Sequence, residues 1–359
     1  MSRAKRKIDH IRHAISHERD LHNHFDDMEV VHQSIARLNF DELKIGMKVG
    51  ELNLSSPFFV NAMTGGGGEE TKTINAQLAA AAKETGVGMA VGSQMSALKN
   101  PEERKTYEVV RETNPEGIIF ANVGTEASLE QAREAVEMID ADALQVHMNT
   151  LQELIMPEGD RDFSKRLTSM QKVIDGVGVP IIVKEVGYGM SRETAETLYQ
   201  MGVRHIDIGG RGGTNFSKVE NMRRERALSS FNNWGIPTPA SIMETTIHQD
   251  MYVFASGGIR NGLDGAKAII LGAYGFGMAG SLLKVLMNEG QNALIETIHQ
   301  VHQELKIAMM LLNASSPADL QGVEYVLYGH MNASSPADLQ GVEYVLYGHM
   351  KEWYDQRIH

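Results

Sequence analysis

Four polar side chains with different chemistries lie close together near the middle of the chain. His147, Asn149, Gln152 and Glu153 occupy a seven-residue segment that directly follows the apolar run 143–146. Such a run is typical of a buried strand, and alternation along a strand would point His147 and Asn149 the same way. Ligands of parallel α/β proteins bind at the carboxyl ends of strands, so the segment predicts a binding site with one carboxylate for a metal ion. The alternative is a strand end whose histidine is satisfied locally, followed by an ordinary helix start.

Glycine-rich segments follow several other apolar runs and indicate backbone contacts with phosphate. Residues 65–68 are four consecutive glycines after the run 58–63, where the alternative is a flexible surface loop. Near the carboxyl terminus, the segments 257–260 (Gly-Gly-Ile-Arg) and 279–281 (Ala-Gly-Ser) follow the seventh and eighth strand-like runs. Phosphate-binding barrels use these two loops and a helix amino terminus, and Thr214 can add a hydroxyl group. The pattern predicts a phosphate-bearing ligand.

A single lysine ends a run that is otherwise apolar. Lys184 follows the run 180–183, and an ammonium group is costly to bury without a partner. A cation at this position suits the electron-rich side of a flavin ring, because it stabilises the anionic reduced form. A core carboxylate such as Asp207 is the alternative partner.

Eight strand-like runs alternate with helix-like segments from Phe58 onward, which favours a (β/α)8 TIM barrel over a doubly wound sheet. The predicted strands are 58–63, 87–91, 117–123, 143–147, 180–185, 205–208, 251–255 and 274–278. The chemically suggestive residues follow these strands and are not scattered: Thr64, Ser93, Asn122, His147, Lys184, Thr214 and Arg260. We also predict a short helix at about 30–38, a hairpin at 48–54 and one long last helix at about 282–312.

The composition excludes several classes of protein. The 359 residues include no cysteine, which excludes thiol nucleophiles, thiolate metal sites and disulfides, and we expect a cytoplasmic location. The net charge of −12 argues against non-specific nucleic-acid binding, and no apolar run is long enough to span a membrane. Residues 1–24 are locally basic. They predict either a flap that brings cations onto an anionic ligand or a solvated, partly disordered arm.

Eight ordered motifs together resemble the type 2 isopentenyl-diphosphate isomerase family. They are N-A-M-T-G-G-G (61–67), G-S-Q-M (92–95), F-A-N-V-G (120–124), H-x-N-x-x-Q-E (147–153), V-K-E-V-G (183–187), D-I-G-G-x-G-G-T-N-F (207–216), S-G-G-I-R (256–260) and M-A-G (278–280). The resemblance implies an FMN-dependent barrel enzyme that converts isopentenyl diphosphate into dimethylallyl diphosphate for isoprenoid biosynthesis. It also implies Mg²⁺ on the diphosphate, NADPH as the reductant of the flavin, and a homo-oligomer that is a tetramer or larger.

The resemblance assigns roles to residues in three groups. FMN would be held by Ala62, Met63, Thr64, Gly65, Ser93, Asn122, Lys184, Thr214, Gly258, Ile259, Arg260, Ala279 and Gly280. The substrate would contact Arg6, Lys7, His10, Ser93, His147, Asn149 and Gln152, of which the last three are the predicted catalytic residues. Glu153 would bind Mg²⁺. Ile8 stands where some relatives carry a further basic residue, which puts the strength of diphosphate binding in doubt.

Few side chains are available for the two proton transfers of the isomerisation. The isomerisation adds a proton at the terminal alkene carbon and removes one from C2, which conventionally requires two acids or a Cys–Glu pair. The chain has no cysteine, and Glu153 is assigned to the metal. This shortage favours reduced FMN as the acid–base group, with Gln152 positioning the substrate and His147 orienting it.

Two other functions are alternatives. An FMN-dependent 2-hydroxy-acid oxidase or dehydrogenase shares the flavin barrel, but it needs a base and an arginine pair near the seventh strand. Arg260 is the only basic residue there, and no His-Gly-x-Arg segment is present. A non-catalytic barrel that binds a phosphorylated metabolite would leave Gln152, Glu153 and Lys184 without a role.

The chain divides into three predicted regions: an amino-terminal arm and lead-in (1–57), an FMN-binding barrel (58–312) and a carboxyl-terminal extension (313–359). In the extension, residues 313–331 recur identically at 332–350. Two copies of 19 residues are too few and too short for a solenoid. We therefore predict that only one copy packs on the barrel, and that deleting either single copy leaves activity intact.

Overall fold

The computed structural model describes residues 24–327; residues 1–23 and 328–359 lie outside the described part. The strands are β1 (Met28–Val30), β2 (Met47–Val49), β3 (Leu52–Leu54), β4 (Phe58–Val60), β5 (Gly88–Ala90), β6 (Ile119–Gly124), β7 (Ala143–Met148), β8 (Ile181–Glu185), β9 (His205–Asp207), β10 (Tyr252–Ser256), β11 (Gly275–Met278) and β12 (Tyr325–Leu327). The helices are α1 (Glu69–Thr85), α2 (Lys105–Thr113), α3 (Leu129–Met138), α4 (Thr150–Ile155), α5 (Arg166–Gly176), α6 (Arg192–Gln200), α7 (Phe216–Asn221), α8 (Thr238–Thr245), α9 (Gly262–Ile270), α10 (Gly280–Glu289) and α11 (Gln291–Leu311).

Strands β4 to β11 form one closed barrel, in which every neighbouring pair is parallel and β11 pairs with β4. All residues of β6 and β8 are buried, because helices cover the outer face of each strand and side chains fill the inside. Side-chain hydrogen bonds at the first turn also determine where a helix starts. Ser128 and Gln131 form a reciprocal capping box at the start of α3. The predicted (β/α)8 barrel is confirmed.

A hairpin closes the amino-terminal end of the barrel. Strands β2 and β3 pair with each other, and their residues Val49, Leu52 and Leu54 pack against the barrel interior. There they join one buried side chain from each of six barrel strands: Phe59, Ala90, Phe120, Ala143, Ile182 and Phe254. We call these nine residues the amino-terminal plug. Its aromatic rings meet edge to face, which excludes water from this end.

Two predicted helices differ from the structure. The predicted helix at 30–38 is wrong, because this segment bonds to distant backbone: the amides of Val31 and Gln33 donate to the carbonyl oxygens of Glu324 and Leu311. Tertiary pairing here overrides local propensity. The predicted single last helix is divided at Gly290, whose positive φ of 89° separates α10 from α11.

The first copy of the carboxyl-terminal repeat packs on the barrel over its described part. Residues 313–327 form a short 3₁₀ helix (Pro317–Gly322) and β12, which pairs antiparallel with β1. Leu320, Tyr325 and Leu327 are buried. The second copy lies outside the described residues, so the prediction that only one copy packs stays a prediction. None of the helices within residues 24–327 is long and apolar enough to cross a membrane.

Candidate active site

A cavity of about 900 Å³ opens at the carboxyl ends of the barrel strands. Its volume lies within the range of about 300–1,000 Å³ that is typical of ligand sites. Thirteen of the sequence-predicted residues line it: Ala62, Met63, Ser93, Asn122, His147, Gln152, Lys184, Thr214, Gly258, Ile259, Arg260, Ala279 and Gly280. Four predicted residues are not part of its lining: Thr64, Gly65, Asn149 and Glu153. Arg6, Lys7 and His10 lie outside the described residues.

One side of the cavity is built from backbone. Helix α10 begins at Gly280 without a side-chain cap, and Ala279, Gly280 and Ser281 at its start line the cavity. The loop after β10 contributes Gly257 and Gly258, both with positive φ. A Cβ atom on Gly258 would lie 2.7 Å from the backbone of Gly212, and one on Gly280 would lie 2.9 Å from the hydroxyl of Thr214. These loops fit an anionic phosphate group, as the sequence predicted.

Lys184 forms the cationic part of the cavity floor. Its ammonium group lies 3.1 Å from Asp207 Oδ2 and donates to the backbone carbonyl of Glu185 at 2.9 Å. Asp207 is fully buried and also accepts a hydrogen bond from the hydroxyl of Ser256. Lys184 therefore lines the cavity and is paired with Asp207, the core carboxylate that the sequence offered as the alternative partner. This arrangement fits a flavin ring whose reduced form is anionic.

A carboxyl group next to Lys184 shapes the adjoining wall. Glu185 is buried, and its Oε2 atom accepts hydrogen bonds from the amides of Val186, Gly187 and Tyr188. Burial raises the pKa of Glu185 to about 8, although these amides and Lys184 act in the opposite direction. The three amide bonds fix the loop after β8, of which Val186 and Gly187 line the cavity.

His147 and Gln152 also line the cavity, and His147 pairs in register with Lys184 of the neighbouring strand. His147 Nδ1 lies 2.8 Å from Asn122 Oδ1, and burial lowers the pKa of the imidazole. Gln152, on α4, donates to Glu220 Oε1 at 3.0 Å. Glu220 lies on α7, is fully buried, and accepts a second hydrogen bond from Arg223 at 2.5 Å. Sequence analysis missed Glu220, because α7 lies in a long excursion whose packing has no local sequence pattern.

Asn149 and Glu153 form a pair beside the cavity. Asn149 Nδ2 donates to Glu153 Oε1 at 2.9 Å, and the amide of Asp160 donates to Glu153 Oε2 at 2.8 Å. Asn149 Oδ1 is buried and has no hydrogen-bond partner among residues 24–327. An unpartnered oxygen beside a carboxylate fits a hard cation or its bound water. Asn149 begins α4 and does not continue β7, so its side chain turns toward Glu153 and not with His147.

Arg260 contacts the cavity, but carboxylates hold its guanidinium group. Its Nε atom donates to Asp264 at 2.8 Å, and its terminal nitrogens donate to Asp26 at 2.9 and 2.5 Å. The hydrogen bonds that Arg260 donates to Asp264 and to Asp26 raise its pKa above the usual value. The side chain thus fixes the start of the described chain against the loop after β10. Contact with FMN through Arg260 stays a prediction.

The fold and the cavity define a flavin-type barrel, and residues 102–325 match the FMN-dependent dehydrogenase family. A solved structure of mandelate oxidase with (S)-2-phenylpropionate shares the fold with a TM-score of 0.62, at 14% identity over 91% of this chain and 97% of that chain. Two curated relatives are much more similar in sequence. The isopentenyl-diphosphate delta-isomerase of a Geobacillus species is 51% identical, and that of Bacillus cereus is 53% identical.

Each of these two alignments covers 92% of this chain and 95% of the relative. The chain therefore belongs to the isopentenyl-diphosphate delta-isomerase family, a family of isomerases. The resemblance inferred from the eight motifs is confirmed.

Proposed function

We propose that the protein interconverts isopentenyl diphosphate and dimethylallyl diphosphate with FMN and Mg²⁺. The observation that carries the proposal is that one cavity joins two different halves of the site. Lys184 and the glycine loops suit a flavin and its phosphate group, and His147 and Gln152 offer hydrogen-bonding groups in the same cavity. The curated relatives bear the name of this activity.

One group of residues would hold the cofactor, and another would position the substrate. Reduced FMN supplies acid–base chemistry at N5 and an electron-rich ring. Gly258, Ala279 and Gly280 would hold its phosphate group through backbone amides, and Lys184 would neutralise the ring. Gln152 does not titrate near neutral pH, so it positions the alkene and does not exchange protons. Its bond to Glu220 fixes the amide in one orientation.

Glu153 is the proposed protein ligand of Mg²⁺. Mg²⁺ keeps several waters and takes one or two carboxylates beside substrate phosphates, so one glutamate and the diphosphate are sufficient. The amide of Asp160 already orients the Glu153 carboxylate. Asn149 Oδ1 would accept a hydrogen bond from a metal-bound water. Arg6, Lys7 and His10 remain the predicted diphosphate-binding residues of the amino-terminal arm.

Three further predictions belong to this proposal. NADPH would reduce the flavin, the chain would form a tetramer or a larger homo-oligomer, and the protein would work in the cytoplasm. Size-exclusion chromatography with light scattering measures the oligomeric state directly. Flavin bleaching on addition of NADPH under argon measures the reductant.

The decisive experiment is anaerobic conversion of isopentenyl diphosphate with Mg²⁺, comparing oxidised with previously reduced FMN. We expect turnover only with reduced FMN, because the oxidised ring lacks the proton at N5. Turnover in both states would overturn the acid–base role of the reduced flavin. No turnover in either state, with flavin bound, would reject the isomerase. In that case 2-hydroxy acids would be the next substrates to test, since the fold is shared with mandelate oxidase.

A further inference from the structure

A chain of side-chain amides crosses the barrel interior below the cavity. It runs from Asp207 through Asn61, Gln145 and Asn122 to His147, with successive distances of 2.7, 3.2, 3.1 and 2.8 Å. We propose that Asn61 and Gln145 are positioning residues that hold His147 as the Nδ1–H tautomer and leave Nε2 for the ligand. The proposal concerns the geometry of this chain; that the ligand is a diphosphate rests on the proposed function.

The direction of the hydrogen bonds is fixed at Asn61. One of its two amide atoms faces the carboxylate of Asp207, which only accepts hydrogen bonds, so this atom is the nitrogen. The other faces the backbone N–H of Ala62 at 2.7 Å, which only donates, so this atom is the oxygen. Two independent partners therefore give the same orientation. This removes the usual ambiguity between the oxygen and the nitrogen of an amide.

The orientation of Asn61 determines every later bond. Its oxygen needs a donor, so Gln145 presents its NH₂ group to Asn61 and its oxygen to Asn122. Asn122 must then donate to Gln145 and present its own oxygen to His147. Nδ1 of His147 consequently carries a hydrogen. Gln145 is fully buried, and Asn61 and Asn122 are only 4% and 3% exposed where they line the cavity, so water competes little for these bonds.

The tautomer determines what His147 offers to a ligand. With Nδ1 bonded to Asn122, Nε2 is the ring nitrogen that remains for the cavity. Burial, Lys184 and Arg166 lower the pKa of His147, which favours the neutral ring, while Glu126 and a hydrogen bond to the Val123 backbone act in the opposite direction. A phosphate oxygen needs a donor at Nε2. Uptake of one proton from solvent there would create that donor without turning the ring, because Nδ1 keeps donating to Asn122.

The test is ¹⁵N NMR of histidine-labelled protein with FMN bound and no substrate. The His147 signals are assigned by difference from His147→Gln. We expect the nitrogen pattern of the Nδ1–H tautomer in the unsubstituted protein. In Gln145→Met, which removes the buried amide at nearly equal volume, we expect a mixture of both tautomers. A matched control is Gln94→Met, which removes a buried amide that accepts from the Asn122 backbone and is not part of the chain.

Kinetics provide a second measurement. Because the Nε2–H form donates to a phosphate oxygen without taking up a proton, Gln145→Met should lower the KM for isopentenyl diphosphate about tenfold, with a smaller change in kcat, and leave FMN bound. An Nε2–H tautomer in the unsubstituted protein would overturn the proposal without any variant. A pure Nδ1–H tautomer in Gln145→Met would also overturn it. If the tautomers behave as expected but no isomerase turnover is found, the proposed function fails and the hydrogen-bond relay stands.

Discussion

The two ends of the barrel are made from the same eight strands but have opposite chemistry. Along five strands, inward-pointing positions change from apolar to polar within two residues: Phe59 to Asn61, Phe120 to Asn122, Ala143 to Gln145, Ile182 to Lys184 and Phe254 to Ser256. Two residues of strand span only about 6.6 Å. The amino-terminal plug, which excludes water, and the hydrogen-bonded floor of the cavity are therefore adjacent layers of side chains.

The comparison indicates that one layer of side chains stabilises the fold and that the next layer binds the ligand. The plug has large apolar groups that contact one another, so its loss should affect unfolding. The floor has charged and amide groups that bond to one another in order, so its loss should affect the ligand. Substitutions at the two ends test whether the free energy of unfolding can change without a change in turnover, and the reverse.

The largest effect is expected at the carboxyl end, from Glu153→Gln. Removing the carboxylate should abolish the benefit of Mg²⁺ and lower turnover about a thousandfold, since a bound metal contributes several kcal/mol of charge stabilisation. FMN content and the thermal midpoint should not change. Asp162→Asn, on the exposed loop that follows α4, is the matched control and should retain activity. Unchanged Mg²⁺ dependence in Glu153→Gln would remove Glu153 as the metal ligand.

The next effect is expected at the amino-terminal end, from Leu52→Ala. Leu52 is buried in the plug, so the cavity left behind should lower the free energy of unfolding by about 2–5 kcal/mol. Turnover at 25 °C should remain close to that of the unsubstituted protein. Leu167→Ala removes the same atoms from a leucine that is 54% exposed and should change neither quantity. Urea unfolding followed by circular dichroism measures the difference, and a loss of turnover that matches the loss of stability would contradict independent layers.

The smallest effect concerns pH and His205, the polar residue nearest the plug. Burial lowers the pKa of His205, while the carbonyl group of Val49 and the carboxylate of Glu51 act against burial. The folded state thus binds this proton less readily than the unfolded state. The stability contribution of the neutral ring is complete above pH of about 6.5 and is lost as pH falls below it, at no more than about 1.4 kcal/mol per pH unit.

The substitution His205→Gln should therefore flatten the dependence of unfolding free energy on pH below about 6.5, the ordinary histidine pKa. The exposed His32→Gln serves as the control and should leave the slope unchanged. His302, whose pKa burial lowers to about 4, keeps part of the slope in every variant. An identical slope in His205→Gln and the unsubstituted protein would show that His205 is protonated equally in both states.

The alternation of strand and helix was sufficient to predict the barrel, because each strand is a continuous apolar run ended by glycine or a polar residue. Most cavity residues followed from the same rule, since they come directly after strands. Gln145 was missed because it lies inside an apolar run and reads as part of it. Counting by two from His147 would have placed both side chains on the inner face.

Other parts of the site depend on contacts that no local pattern contains. Glu220 meets Gln152 across 68 positions of sequence, and Arg260 meets Asp26 across 234. Asn149 was expected to point with His147, but the chain enters α4 there and strand alternation stops. The helix predicted at 30–38 was likewise wrong, because this segment lies beside β1, which pairs with the distant strand β12.

The pairing of β1 with β12 has a consequence for folding during synthesis on the ribosome. Met28 aligns with Leu327, so the two strands of this small sheet are 299 residues apart in the chain. At about 5–20 residues per second, the ribosome makes the second strand about 15–60 s after the first. During this interval β1 has an open edge that other extended segments can pair with. The last described strand to be synthesised is therefore the one that protects the first.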